Sequence, residues 1–260
     1  VEESVRRAVG IMRSRYSDPI TLNEIAAEVF VSPYHFSRIF SRAIGLTPGR
    51  YLTAVRLFAA KRLLLTTDLT VSDIVCSVGY NSVGTFTSRF TRVVGMSPTQ
   101  YRDPTVSRLL VAASFDFSRM PEPGEMAMAA SRRPSLPCWH TTTLRGTIEV
   151  PLAAGAVDAM VGVFSEAAPQ RSPVAFQVLP VSGRTEFEME GLPSGSHHVL
   201  AVAAPRIRGA DTRVLTAATR RSVSVMPGSH AHVDLALQPP AEADPPVAVT
   251  LADTSRPVRA

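Results

Sequence analysis

Apolar residues recur every three or four positions through the first hundred residues and every second position from Thr143 onward, so a helical part precedes a stranded one. Val5, Ala8, Val9 and Met12 make one apolar face of a first helix that ends near Asp18 and Pro19. Thr21, with Glu24 three residues on, is a capping box ahead of a short helix striped with Leu22, Ile25, Ala26 and Val29. Ser32 caps a third helix with Pro33 at its first position. Phe36, Ile39, Phe40, Ala43 and Ile44 define the inner face of that helix, to about Ile44. Thr47 and Pro48 open a long helix to about Leu65. Its apolar residues, among them Tyr51, Val55, Leu57, Phe58 and Leu64, predict burial on more than one side.

The helical part then repeats itself. Phe36, Phe40, Arg42, Gly45, Pro48 and Tyr51 return fifty residues later as Phe86, Phe90, Arg92, Gly95, Pro98 and Tyr101. Upstream, Thr21, Leu22, Glu24, Ile25 and Val29 return forty-nine residues later as Thr70, Val71, Asp73, Ile74 and Val78, so the second copy has one extra residue before its second helix. Opposite the apolar face of the third helix runs a stripe of Pro33, Tyr34, Ser37, Arg38, Ser41 and Arg42. A short helix, a tight turn and a second helix with exposed donors is the pattern of a helix-turn-helix, whose second helix reads the major groove. The long helix between the copies is a rod of about 25 Å at 1.5 Å per residue. That length suits two reading helices held one DNA turn, about 34 Å, apart.

Charge follows the same division. Residues 1–103 hold 13 Lys+Arg against 8 Asp+Glu, whereas residues 104–260 hold 14 of each, so the whole excess of +5 lies on the duplicated part. A basic module joined to a neutral one fits a polyanion as the partner of the first. Only Lys61 among the 27 basic residues is a lysine. The two cysteines, Cys76 and Cys138, make no disulfide framework, which fits a reducing compartment. No run of eighteen apolar residues and no signal-peptide pattern in the first twenty positions is present, so the expected location is cytoplasmic, with no membrane partner. Cys76, among Ile74, Val75 and Val78, reads as a small buried hydrophobe.

The stretch Gly79 to Arg102, GYNSVGTFTSRFTRVVGMSPTQYR, together with the earlier SPYHFSRIFSRAIGLTPGRYL, resembles the DNA-binding domain of the AraC/XylS family. The resemblance spans residues 5–103, about two-fifths of the chain. It implies seven helices holding two helix-turn-helix units, at about 21–44 and 70–94, joined by a helix at about 48–65. It further implies that the two second helices enter successive major grooves of double-stranded DNA, and that RNA polymerase is a partner. Carried over by position, base readout falls to Pro33, Tyr34, Ser37 and Arg38 in the first unit and to Val83, Gly84, Thr85 and Ser88 in the second. Phosphate contacts fall to Ser41, Arg42, Arg89 and Arg92. The chain departs from the commoner pattern at positions 83, 84 and 88, where longer donors often stand. Bidentate base readout needs such donors. The first unit is therefore expected to supply most sequence discrimination, and the second backbone anchoring and contact with thymine methyls.

Residues 104–137 lose periodicity. Met120 to Pro137, with its prolines and the pair Arg132 and Arg133, reads as a linker, and Ser107 to Phe117 as a short segment of undetermined type. Beyond it, residues 138–260 predict eight short strands, at 145–152, 159–166, 174–180, 184–190, 197–204, 221–226, 230–238 and 246–252, parted by Gly, Pro and Ser turns. The passages FEMEGLPSGSHHVLAV and VMPGSHAHVDLAL resemble the carboxypeptidase-regulatory-like or transthyretin-like sandwich, which implies a fold and not a ligand. His197, His198, His230 and His232 read as solvent-facing strand positions, because no Cys or placed carboxylate completes a zinc set.

The fold class expected is multidomain: an all-α double helix-turn-helix domain followed by an all-β sandwich. The function expected is a sequence-specific DNA-binding transcription regulator without cofactor or metal, whose C-terminal domain senses a small molecule or binds a protein. A different reading makes the sandwich a scaffold or oligomerisation module on a constitutive DNA binder. A third is alkyl transfer to Cys138, since some DNA-repair alkyltransferases carry the same type of DNA-binding domain. Such a cysteine needs a neighbouring base, and here His140 stands two residues away with no α/β pattern around it, so the chain is read as not an enzyme.

Overall fold

The computed structural model describes residues 3–132, 142–206, 213–228 and 230–252. Seven helices come first: α1 (Glu3–Ser14), α2 (Leu22–Glu28), α3 (Pro33–Ile44), α4 (Pro48–Thr66), α5 (Val71–Ser77), α6 (Val83–Val94) and α7 (Pro98–Tyr101). The expected caps form. Thr21 and Glu24 close one capping box and Thr70 and Asp73 another, each fixing where a short helix starts. The 19-residue α4 serves two cores at once. It gives Tyr51 and Val55 to the core of α1–α3, and Leu57, Phe58, Ala60 and Leu64 to the core of α5–α7. A helix shared in this way leaves little free surface, which explains its lack of a single apolar stripe.

The turn between the helices of each pair needs a left-handed residue. In the second pair it is Gly79, φ 78°, where a side chain would bring its Cβ to 2.6 Å from the carbonyl oxygen of Tyr16. In the first pair the equivalent residue is Phe30, φ 59°, whose ring is 84% exposed beneath the guanidinium of Arg7. The same bend is thus made once by glycine in a crowded place and once by an aromatic in an open one.

The segment expected to be a linker is structured as far as it is described. It forms α8 (Pro104–Arg108), β1 (Leu110–Ala113), β2 (Ser118–Arg119) and α9 (Pro123–Ser131), while residues 133–137 lie outside the described residues. The rest of the chain gives β3 (Thr143–Glu149), β4 (Val157–Phe164), β5 (Ala175–Val181), β6 (Arg184–Glu190), β7 (Gly195–Pro205), β8 (Leu215–Ala218), β9 (Val223–Val225), β10 (His230–Ala236) and β11 (Val247–Thr250). The short β8 was not expected. Two sheets pack face to face, one ordered β10-β3-β6 with β10 parallel to β3, the other β5-β4-β7-β8 with β9 beside β7. Ile148, Phe187 and Val233 meet Val161, Val163 and Ala201 between them.

The eighth expected strand does not belong to these sheets. β11 leaves them and pairs antiparallel with β1, which also pairs with β2. This small sheet lies between the helices and the other strands. Leu110, Ala112 and Ala248 face the core of α5–α7, whereas Val111, Ala113, Val247 and Val249 face Met160 and Val202 of β4 and β7. The two parts are not simply joined by a linker: β1 and β2, from residues 104–137, and β11, from the stranded part, build the sheet that lies between them.

Several single-residue expectations also fail, among them Leu22, which is exposed, and His198, which is half-buried. Cys76 is exposed, because at about 100° per residue it lies opposite Ile74 and Val78 on α5. Ala43 is exposed in the last turn of α3, although it is in phase with Phe36. His197 is buried, at 7% exposure, with Nε2 2.7 Å from the carbonyl oxygen of Pro193. His230 and His232 are exposed on β10 as expected. Among the described residues no three His, Cys, Asp or Glu side chains come together as a metal-binding group, and no helix is long and apolar enough to cross a membrane.

Lys61, the one lysine of the chain, is wholly buried on α4 at the joint with the strands. Its Nζ donates to the carbonyl oxygen of Gln170 and to Gln170 Oε1, each at 3.0 Å, and to the carbonyl oxygen of Ala248 at 2.6 Å. The ammonium also stands 5.6 Å from the ring centre of Tyr101. Burial pulls this amine down to about 7. In the unfolded chain it keeps its usual value of 10.5. Between these two values the unfolded state holds the extra proton, so this contribution makes the fold more stable as pH rises from about 7, and is flat below it. Urea denaturation of the wild type and of Lys61→Met at pH 7, 8 and 9 checks this: the rise is expected in the wild type and absent from the variant. The turns give a second test by the same method. Gly79→Ala is expected to lose about 2–5 kcal/mol from left-handed backbone and overpacking together, whereas Phe30→Gly changes stability by less than about 1 kcal/mol.

Candidate nucleic-acid interface

The helices α3 and α6 are built to one pattern. Ser32 Oγ accepts the backbone N–H of His35 and Ser82 Oγ that of Thr85, each at 3.3 Å, which sets the first turn of each helix. Each helix ends at a left-handed glycine, Gly45 (φ 81°) and Gly95 (φ 90°). Between these ends an aromatic ladder fixes the rotation. Phe36 meets Phe40 at 5.5 Å and Phe40 meets Tyr51 at 5.5 Å; fifty residues on, Phe86 meets Phe90 at 5.4 Å and Phe90 meets Tyr101 at 5.7 Å. Three of these contacts are edge-to-face and Phe86–Phe90 is tilted, and such ring pairs hold orientation as well as burying area.

With the inner faces locked, the outward stripes are determined. On α3, Pro33, Tyr34, Arg38 and Arg42 are exposed, Tyr34 by 80%, while Ser37 and Ser41 are half-buried along the edge of the stripe. On α6, Val83, Gly84, Thr85, Ser88, Arg89 and Arg92 are all exposed. The six on α3 share one half of the helix, whereas the six on α6 spread over about 240° at about 100° per residue, with Arg89 turned toward α4. The two faces differ chemically: α3 presents a phenol and two exposed guanidinium groups, whereas the N-terminal half of α6 presents a methyl pair, a bare backbone and two hydroxyls.

Two of the phosphate candidates have intramolecular partners. Arg89 Nη2 donates to Thr53 Oγ1 of α4 at 3.1 Å, so its cation sits in the gap between the two helix pairs. The backbone carbonyl of Arg92 accepts from the guanidinium of Arg171, leaving the side chain of Arg92 exposed. An open groove of about 440 Å³ lies in that gap, lined among others by Arg50, Thr53, Arg89, Glu166 and Gln170. Arg50 and Glu166 approach to 3.7 Å across it. Arg132 lies away from these helices at the end of α9, where its Nη2 is 3.3 Å from Met128 Sδ; Arg133 and Cys138 lie outside the described residues.

Sequence reasoning missed the groups that hold these faces in place. Arg56 of α4 donates to the carbonyl oxygens of Tyr16 and Asp18, both at 2.7 Å, and its guanidinium stands 5.8 Å from the ring centre of Tyr80. Burial lowers its pKa from the usual value, and it ties the first helix pair to the turn of the second. Arg171 lies in a Pro- and Ser-containing turn between β4 and β5, where no periodicity marks it. The spacing of Arg56 within α4 was the only local signal, since it falls among buried neighbours.

Residues 25–104 match a family described as a helix-turn-helix domain. Among curated proteins the chain is similar to the lactose operon transcription activator of Staphylococcus xylosus, 32% identical over 102 residues, covering 39% of this chain and 37% of that protein. It is also similar to the bifunctional transcriptional activator/DNA repair enzyme AdaA of Bacillus subtilis, 32% identical over 87 residues, covering 34% of this chain and 41% of that one. Among solved structures it resembles the C-terminal domain of AraT, a response regulator from Geobacillus stearothermophilus, with 34% identity, 39% of this chain and 84% of that chain covered, and a TM-score of 0.38. The chain thus spans about a third of the length of the curated relatives it matches first. Residues 25–104 thus form a helix-turn-helix domain.

Proposed function

We propose that the chain is a sequence-specific double-stranded DNA-binding transcription regulator that places α3 and α6 in successive major grooves. The observation that carries this reading is the duplicated helix pair, with its two outward stripes held by equivalent caps and aromatic ladders within a domain of the helix-turn-helix family. Two such pairs on one shared helix form a double helix-turn-helix, and the net positive charge of residues 1–103 supplies the phosphate attraction. Pro33, Tyr34, Ser37 and Arg38 read bases from α3; Val83, Gly84, Thr85 and Ser88 face bases from α6; Ser41, Arg42, Arg89 and Arg92 meet phosphate. RNA polymerase is the natural second partner of a regulator bound in this way.

The two-sheet part is read as a sandwich of the transthyretin-like type. Its attachment to the helices through β1, β11 and Lys61 favours a second reading beside that of an effector domain for a small molecule or protein. In it the strands are a scaffold for a constitutive DNA binder. A thermal-shift screen of the intact chain against small molecules separates the two, since only a sensor gains stability from a specific ligand.

The readers themselves are tested with duplexes selected from a random pool by the intact protein. Arg38→Ala is expected to lose about 1–3 kcal/mol of discrimination at one base pair. Arg92→Ala is expected instead to weaken binding to every sequence alike and to lower the salt slope by about one. Titrations on selected and scrambled duplexes at several salt concentrations measure both. Unchanged discrimination in Arg38→Ala overturns the assignment of α3 as the principal reader.

A further inference from the structure

The loop joining β4 to β5, residues 165–174, belongs to the stranded half yet touches the helical half at several points within six residues. Ala168 packs on Leu46, in the turn leaving α3, and on Ala54 of α4. The main-chain oxygen and the side-chain Oε1 of Gln170 both take hydrogen bonds from Lys61, further along α4. Arg171 Nε donates to the carbonyl oxygen of Val93 at 3.1 Å, and its Nη2 donates to the carbonyl oxygen of Arg92. Those carbonyls are the unsatisfied acceptors at the C-terminal end of α6, where the helix dipole is negative and a forked cation fits. The end of α3 abuts the same half of the molecule: a side chain at Gly45 would lie 3.9 Å from the carbonyl oxygen of Arg220, in the turn between β8 and β9.

Both candidate reading helices therefore end against loops of one body. Between the helix pairs themselves the described polar ties are few, notably Arg89 to Thr53 and Arg56 to Tyr80. Arg171 acts on α6 alone, while Ala168 packs on Leu46 and Ala54 beside the first pair and Gln170 takes Lys61 on the part of α4 that lines the second core. A displacement of α6 relative to α3 has to break the Arg171 fork or pull the loop off α4.

We propose that Arg171, on a loop seated through Ala168 on Leu46 and Ala54, is a positioning residue that holds the second reading helix at a fixed place relative to the first, and so sets the spacing of the two DNA segments the chain accepts. This rests on α3 and α6 being DNA readers. Arg171 does not need to touch DNA for this effect. Its signature is a tolerance of altered spacing, which a general loss of affinity does not produce.

The test uses the full chain and the duplex it selects from a random pool, with derivatives in which one base pair is inserted or removed between the two protected segments. One base pair changes their separation by about 3.4 Å and their relative rotation by about a tenth of a turn. The wild type is expected to bind the altered duplexes more weakly by on the order of tenfold to a hundredfold. In Arg171→Ala that penalty is expected to shrink to within about threefold, while affinity for a duplex holding only the first segment is unchanged. Arg171→Gln, which keeps length and one donor but not the charge or the fork, serves as a milder second variant, and circular dichroism with a melting curve verifies that each is folded. A spacing penalty equal to the wild type's in both folded variants overturns the proposal. A wild type that selects no duplex, or protects a single segment only, overturns instead the reading of α3 and α6 on which the proposal stands.

Discussion

The structure depends on a four-residue strand that is buried on both faces. Leu110 and Ala112 complete the core around α5–α7, and Val111 and Ala113 complete the core against β4 and β7. Side chains alternate along a strand, so a slip of one residue would exchange the two sets and spoil both cores together. Its partner β11 obeys the same alternation, with Ala248 toward the helices and Val247 and Val249 away from them. Full burial of side chains such as Leu110, Val111 and Val249 contributes about 1.5–3 kcal/mol apiece. An exposed pair such as Arg50 and Glu166 contributes about 0–1 kcal/mol. The joint between the halves is therefore held by apolar packing, and the charges around it act mainly on orientation.

Lys61 is the exception that shows what the joint demands. An amine at this depth is costly unless its donors are matched, and here three oxygens match them, two from Gln170 and one from Ala248. Gln170 comes from the loop after β4 and Ala248 from β11, so the same side chain engages both of the routes by which the stranded half reaches α4. A further strap runs beside it: Tyr51 Oη donates to the carbonyl oxygen of Glu242 at 3.4 Å, and Arg13 Nη2 to that of Asp244 at 3.0 Å. The segment before β11 thus follows α4 from the first helix pair toward the second. Packing fixes that the halves meet; these polar groups fix where.

The helical half was legible because its signals are local. A threonine followed by an acid three residues later sets a helix start without reference to anything distant, and the internal repeat doubles every such signal. Strands β4 and β7 were legible for a related reason: Ala159 to Phe164 and Val199 to Ala203 are unbroken apolar runs, as expected of strands covered on both sides. The run at Leu110 to Ala113 carries the same mark but is only four residues long; its near partner β2 has two residues and its longer partner β11 lies more than 130 residues away, so little nearby identified it as a strand. Cys76 was misplaced because its neighbours in sequence were weighed and its angle on α5 was not. His197 escaped notice because the partner that accepts it, Pro193, sits in the preceding turn. Of the interface, the outward stripes could be read from helical phase alone, whereas Arg56 and Arg171 could not, since each acts on backbone carbonyls that no pattern of side chains reveals.

The chemistry of the second stripe gives that hidden support its significance. A helix that offers Val83, Gly84, Thr85 and Ser88 has no long donor with which to pull itself into register on a base edge. Short groups make useful contacts only at close approach, and close approach requires that the helix arrive already placed. In the proposed reading α3, with Tyr34 and Arg38, can find its own register, while α6 inherits its register from α4 and from whatever holds its far end. The guanidinium of Arg171 on the last carbonyls of α6 is such a hold, and it comes from the half of the chain that carries no excess charge. Discrimination by the second helix then depends less on its own side chains than on the rigidity of the strands behind it, which gives a neutral domain a direct physical route to the selectivity of a basic one.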